Sequence, residues 1–397
     1  MEKNKRTISI ILACVFAVFF ISFFVYYGIS EKEDAESKWV SIAAGDSHAI
    51  ALKDNNKLYS WGYNQSGQLG IGNQRDKDTP VFVKKVDDIK SIYAGDYFSM
   101  YLTKEGDLYG TGENRSGELG LNDYDNRDEF TKISHSVKYS TISAGDAHVL
   151  AIDTNGNLYS WGDNKNGQLG VGLSIAKSSQ PMPLLPNVKF SSVSAGQQFS
   201  VAIDVDGNIW AWGINENGEI GNGEMGGGDY VNITRQTTPV KVSKNIKFIG
   251  ADAGKTHVIA YDEEGNLWGW GNNFDGQLGV EGISYYSVPT IISSEYKVAK
   301  VSVGDYHSMF VDENGVLYVF GYNAHGELGM NSVAQNYRKI TKFVEDISFE
   351  SISAGTDFTL YLTKDKEIYS SGSGDYGKLG TDKKYDARNI VKVKTKN

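Results

Sequence analysis

One unit is written seven times in this chain, and that repetition constrains the fold more than any other feature. Each copy reads close to Ala-Gly-Asp-Ser-His, then an alternating run, then Leu-Tyr-Ser-Trp-Gly, then Asn-x-x-Gly-x-Leu-Gly; the first covers 44–70 and the last 354–380. The leading glycines are Gly45, Gly95, Gly145, Gly196, Gly254, Gly304 and Gly355, at successive separations of 50, 50, 51, 58, 50 and 51 residues. A period of about 50 residues made of strand and turn signals predicts a stacked or radial β array. No linker interrupts it, so 38–397 is expected to be one body despite its length. Abundant Gly (45) and scarce Pro (6) suit short strands joined by tight turns. What repeats builds each copy, so function is expected in what varies between copies.

The third copy shows the unit's internal plan. A run at 139–143 ends at Ala144-Gly145, alternating runs follow at 148–152 and 157–161, and a last strand is expected after Pro181. Asp153-Thr154-Asn155-Gly156 joins the middle runs as a hairpin turn, with Gly supplying the positive φ. Four short strands cannot bury both faces of their own sheet, so each sheet must pack on its neighbours. Seven around an axis predict an all-β, seven-bladed propeller of four-stranded blades, closed where the segment after residue 37 zips against the last copy. His48, His148, His257 and His307 alternate with Phe98, Phe199 and Phe358 at one position, which marks it as packing rather than metal binding. Trp61, Trp161, Trp212 and Trp270 read as core.

The N-terminus is different in kind. Residues 8–29 carry no charge, and at 1.5 Å per residue they would span about 33 Å as a helix, enough for a bilayer. Lys3, Lys5 and Arg6 precede this run, and Glu31, Glu33, Asp34 and Glu36 follow it. The positive-inside rule then expects a cytoplasmic stub (1–7), one transmembrane helix acting as a signal anchor (8–29), a tether (30–37) and an extracytoplasmic propeller (38–397) in the cell membrane. Gly28-Ile29-Ser30 offers a cleavage site as the alternative. The one cysteine, Cys14, lies inside this run, so the array has no disulfide. A net charge of −10 argues against nucleic acid as a partner. Lys, Asn and Ile usage points to an AT-rich bacterium.

Trp61-Gly62-Tyr63-Asn64-Gln65-Ser66-Gly67-Gln68-Leu69-Gly70 resembles the signature of the regulator-of-chromosome-condensation repeat, as do the stretches 161–170 and 270–279. The resemblance covers all seven units and implies a seven-bladed propeller. It implies little about activity, because the family holds exchange factors, a plant light receptor and bacterial inhibitors of β-lactamases. The light receptor's tryptophans after the leading Gly are replaced here by Asp46, Asp96, Asp146, Gln197, Lys255, Asp305 and Thr356, so its chromophore cluster is absent. The exported inhibitors match best in location and class.

Strand direction sorts the loops. The residues after each leading Gly and the Trp-Gly-x-Asn-x-x-Gly loop share one face, and the fourth copy's insertion after Gly221 joins them. That face collects Asp46, Asp96, Asp146, Asp305, Tyr97 and Tyr306, then Tyr63, Arg115, Lys165, Phe274 and His325 from the compact loops, and Met225 and Tyr230 from the insertion. Aromatics interleaved with charges on exposed loops suit a protein interface. The expected function is a membrane-anchored binding propeller for a protein partner, inhibiting or scaffolding a secreted or cell-wall enzyme. The alternative is a carbohydrate-binding or carbohydrate-cleaving surface, which needs paired carboxylates about 5–10 Å apart. No catalytic motif, metal set or cofactor site stands out, so the chain is expected not to be an enzyme.

Overall fold

The computed structural model describes residues 37–133, 136–226, 234–242, 245–343 and 347–394. The proposed transmembrane segment 8–29, the stub before it and all but the last residue of the tether lie outside the described residues. So does Tyr230. Among the described residues no helix is long and apolar enough to cross a membrane.

Blade 1 consists of β1 (Trp39–Ala44), β2 (His48–Lys53), β3 (Lys57–Gly62) and β4 (Lys77–Lys85), paired antiparallel in that order. The same four-stranded sheet recurs over 89–132, 139–184, 190–241, 248–293, 298–342 and 349–392, giving seven blades. First strands of neighbouring blades meet at the axis, and fourth strands form the periphery. The second strands are buried along almost their whole length, because each is sandwiched between two neighbouring sheets. The alternation visible at 148–152 is therefore not an alternation of wet and dry. The outer strands are polar, and five of the six prolines lie in them, which blunts the exposed edges. The last strand of blade 3 starts at Lys177, ahead of Pro181, because the edge position tolerates the proline's missing donor.

The ring closes by packing, and no strand passes from the first sheet to the last. A Cβ placed on Gly45 would lie 2.3 Å from the carbonyl oxygen of Gly95, and the same clash runs through all seven copies until Gly355 meets Gly45 at 2.5 Å. The leading glycines thus form a closed collar that admits no side chain. Around it, β1 packs on the first and second strands of blade 7. Ala44 N–H donates to Ser353 Oγ at 2.9 Å, and Trp61 Nε1 donates to the Lys378 carbonyl at 2.8 Å.

The second bond is a recurring latch. Trp161, Trp212 and Trp270 donate in the same way to the carbonyls of Glu118, Gln168 and Glu219 in the preceding blades. The buried histidines add a second latch, so their position does more than pack. His148 Nε2 lies 2.9 Å from Ser200 Oγ, whose own proton goes to the Gln168 carbonyl, so the ring must donate from Nε2. Burial holds His148 neutral, lowering its pKa to about 3. In the seventh blade Ser371 replaces the tryptophan, and Tyr361 fills the space where the four tryptophan-bearing copies keep Ala51, Ala151, Ala202 or Ala260. The Ser371 and Tyr361 hydroxyls both reach the Glu327 carbonyl that an indole would have used. Volume and hydrogen bond are conserved together.

Candidate functional site

Three features build the variable face. The first is the ring of residues immediately after the collar glycines. Asp46, Asp96, Asp146, Gln197, Lys255, Asp305 and Thr356 surround a shallow, solvent-open mouth of about 80 Å³. Its lining is the collar backbone, one small Ala or Val per blade and these polar side chains, more polar than the lining of small-molecule pockets. Asp96 and Asp146 are hydrogen-bonded to each other. Burial and the neighbouring carboxylates push Asp96 well above the usual range and raise Asp146 to about 7. Burial raises Asp305 to about 6 against the pull of Lys255, whose ammonium lies 3.3 Å from it. Asp96 and Asp146 thus meet between neighbouring blades, whereas Asp46 accepts from Ser47 Oγ of its own turn at 3.1 Å.

The second feature is aromatic. Tyr63 of blade 1 meets Tyr97 of blade 2 edge-on at 6.0 Å between ring centres, and Tyr376 of blade 7 at 4.8 Å. Tyr97 and Tyr376 are 37% and 47% exposed, and the Tyr97 hydroxyl donates to Asp46. Tyr306 lies 5.1 Å under the Lys255 ammonium and 6.2 Å from Tyr322.

The third feature is the rim of compact loops. In six of them a buried Asn staples the loop: Asn64 Oδ1 accepts the Leu69 N–H at 2.9 Å, and its Nδ2 donates to the Asn73 and Arg75 carbonyls. Asn114, Asn164, Asn215, Asn273 and Asn323 repeat this bond to the Leu or Ile five residues on. Blade 7 has Gly374 at that place, and its unstapled loop forms a short 3₁₀ turn with Tyr376 at φ +58°. Each loop leaves and re-enters its sheet at the same end, as the pairings of Gly62 with Lys77 and Gly112 with Arg127 show. The whole of 63–76 and its counterparts therefore lies on the face of the collar turns.

Of the sequence-derived candidates, Asp46, Asp96, Asp146, Asp305, Tyr63, Tyr97 and Tyr306 come together around the mouth. Arg115, Lys165, Met225, Phe274 and His325 lie one per blade on the rim. Arg115 and Lys165 pair with Glu113 and Asp163 of their own loops, both at 3.6 Å. His325 pairs with Asp386 of the next blade at 2.9 Å, and that bond raises its pKa. Sequence reasoning missed Tyr376, because only a lost staple betrays it. It also missed the second half of each loop, which carries exposed Tyr124, Leu173, Ile175, Ile283, Val333 and Tyr385. Ten of the seventeen exposed large apolar side chains among the described residues belong to these loops and collar turns. The described residues contain no group of three or more side chains placed to hold a metal ion.

Fold and face together define a closed seven-bladed propeller whose variation is concentrated in one ring of loops. The model of the RCC1-like domain matches residues 25–232 and 142–397, and the chain belongs to that family. The ultraviolet-B receptor UVR8 of Arabidopsis thaliana is 29% identical over 246 residues, 60% of this chain and 54% of the receptor. The mitochondrial RCC1 domain-containing protein RUG3 of the same plant is 31% identical over 117 residues, 30% of this chain and 24% of RUG3. The matches thus span about half or less of these curated relatives. Among solved structures, human WBSCR16 superposes with a TM-score of 0.75 at 21% identity, covering 85% of this chain and 95% of that one. Prp20p of Saccharomyces cerevisiae, which binds Gsp1p and histones, superposes with a TM-score of 0.72 at 21% identity over 81% and 82%. Similarity at this level establishes the fold.

Proposed function

We propose that this chain is a membrane-anchored, extracytoplasmic binding propeller whose loop face docks a protein partner, inhibiting or scaffolding a secreted or cell-wall enzyme. The observation that carries the reading is the concentration of exposed apolar and aromatic side chains on the collar-and-loop face. An interface takes its affinity from such anchors set among polar groups. Family relatives that bind proteins support the class of function, and Gsp1p and histones remain partners of the yeast protein alone. The uncharged run 8–29 with its charge asymmetry supports the anchor. In the carbohydrate-cleaving alternative Asp96 and Asp146 would not be the pair, because they share a hydrogen bond that leaves no room between them for the sugar that a glycosidase pair must flank.

The test is comparative capture from native membranes. The full chain and a Val205→Asp variant, altered at an exposed hairpin turn on the opposite face, should retain the same protein. A Tyr97→Ala/Tyr376→Ala variant of equal melting temperature should lose it. Equal capture by all three would place binding elsewhere.

A further inference from the structure

The ring above the collar holds its own example of what this face receives. Lys255 of blade 5 reaches across to blade 6, where its ammonium lies 3.3 Å from Asp305 Oδ2 and 5.1 Å from the centre of the Tyr306 ring. Carboxylate, aromatic face and ammonium make one unit, with charge attraction from one side and the ring's negative face from the other. The two residues following the collar glycine in blade 2 are again an acid and a tyrosine, Asp96 and Tyr97. The residue that stands where Lys255 would be, after the blade 1 glycine, is Asp46. The carboxylate and the ring are duplicated, and the cation is not.

The surroundings of this corner sharpen the contrast. Among the described residues no ion pair reaches Asp46 or Asp96, and Asp146 adds a third acid beside them by its hydrogen bond to Asp96. Tyr63 and Tyr376 continue the aromatic surface outward from exposed Tyr97. One side of the mouth is thus neutralised from within by Lys255, and the opposite side sets Asp46, which has no ion-pair partner among the described residues, beside the exposed Tyr97 ring and the hydrogen-bonded Asp96–Asp146 pair.

We propose that the corner formed by Asp46, Asp96 and Tyr97 receives a lysine or arginine side chain of the protein partner, in the manner in which Lys255 is received by Asp305 and Tyr306. The inference rests on the reading of the loop face as a protein-docking surface. It specifies that the partner presents a projecting cationic residue to the axis, with apolar contacts around it on the rim.

The probe is a pair of capped pentapeptides, acetyl-Gly-Gly-Lys-Gly-Gly-amide and its norleucine analogue, titrated into the detergent-solubilised full chain with 3-fluorotyrosine at position 97. The expected result is a saturable fluorine shift with the lysine peptide and none with norleucine. The affinity should fall roughly tenfold in Asp46→Asn, as removal of a charge-assisted contact implies, and should weaken as ionic strength rises. The ionic-strength arm needs no variant and so stands even if Asp46→Asn folds poorly. Equal shifts from both peptides, or an affinity insensitive to salt, would overturn the inference. If the lysine peptide leaves position 97 unmoved while Tyr97→Ala/Tyr376→Ala still abolishes capture, the docking face survives and the cation pocket does not.

Discussion

Tyr376 shows how a single residue trades stability for surface. Its backbone is left-handed, at φ +58°, where the equivalent Ser66, Ser116 and Asn166 are not among the positive-φ residues. Such a conformation costs a bulky residue about 1 kcal/mol or more. Tyr376→Gly should therefore leave the melting temperature unchanged or raise it while weakening partner capture, measured by calorimetry and by the membrane assay. The mouth carries a similar tension. Asp146 titrates near 7 in the folded chain against an ordinary 3.8. Between those values the folded state holds a proton that the unfolded state has released, so the group's contribution declines as pH rises toward 7. Asp146→Asn should raise the melting temperature above pH 7, with the gain vanishing near pH 4. His148 has the opposite sign: its folded pKa is about 3 against 6.5, so its contribution is lost as pH falls through that window. His148→Phe, a residue that three other copies carry at this position, should resist acid better than the parent chain when unfolding is followed from pH 7 to pH 4.

At the scale of the element, the blade tolerates exchange when volume and hydrogen bond move together. Trp161→Ala alone opens a cavity and strands the Glu118 carbonyl, and should cost about 3–5 kcal/mol by denaturant unfolding. Ala151→Tyr combined with Trp161→Ser copies the arrangement of blade 7 and should recover part of that loss. The repeat made these elements legible in advance: number of blades, hairpin turns and core tryptophans all follow from the period and from residue types that recur. The outer strands were less legible. Lys177–Leu184 has little apolar patterning, since an edge strand buries few of its side chains, and the start at Lys177 is set by pairing with Asp163. The histidines read as packing because His and Phe alternate there; the hydroxyl partners lie one blade away, about 50 residues on, where local reasoning does not reach. The aspartates after the collar glycines were visible as a set, but the Asp96–Asp146 hydrogen bond arises only when blades 2 and 3, 50 residues apart in sequence, pack side by side.

Across the whole molecule, the candidate surface is a product of closure. Tyr63 and Tyr376 stand in the first and last blades and touch only because the collar joins Gly355 to Gly45. The seam carries the Trp61–Lys378 bond and the Ala44–Ser353 bond, and a buried Lys378 pairs with Asp357 beside them. Trp61→Phe, which deletes one seam bond and keeps an aromatic ring, should cost about 1–2 kcal/mol and leave a single unfolding transition, since every blade is stabilised by both neighbours. On the proposed function, this closed ring presents its collar-and-loop face, and not the hairpin face, to a protein. The direct measurement is photo-crosslinking in intact cells with benzoylphenylalanine placed at Tyr376 or at Val205. A defined protein adduct from position 376 and none from 205 is the predicted result; an adduct from 205 alone, or equal labelling at both, would contradict it.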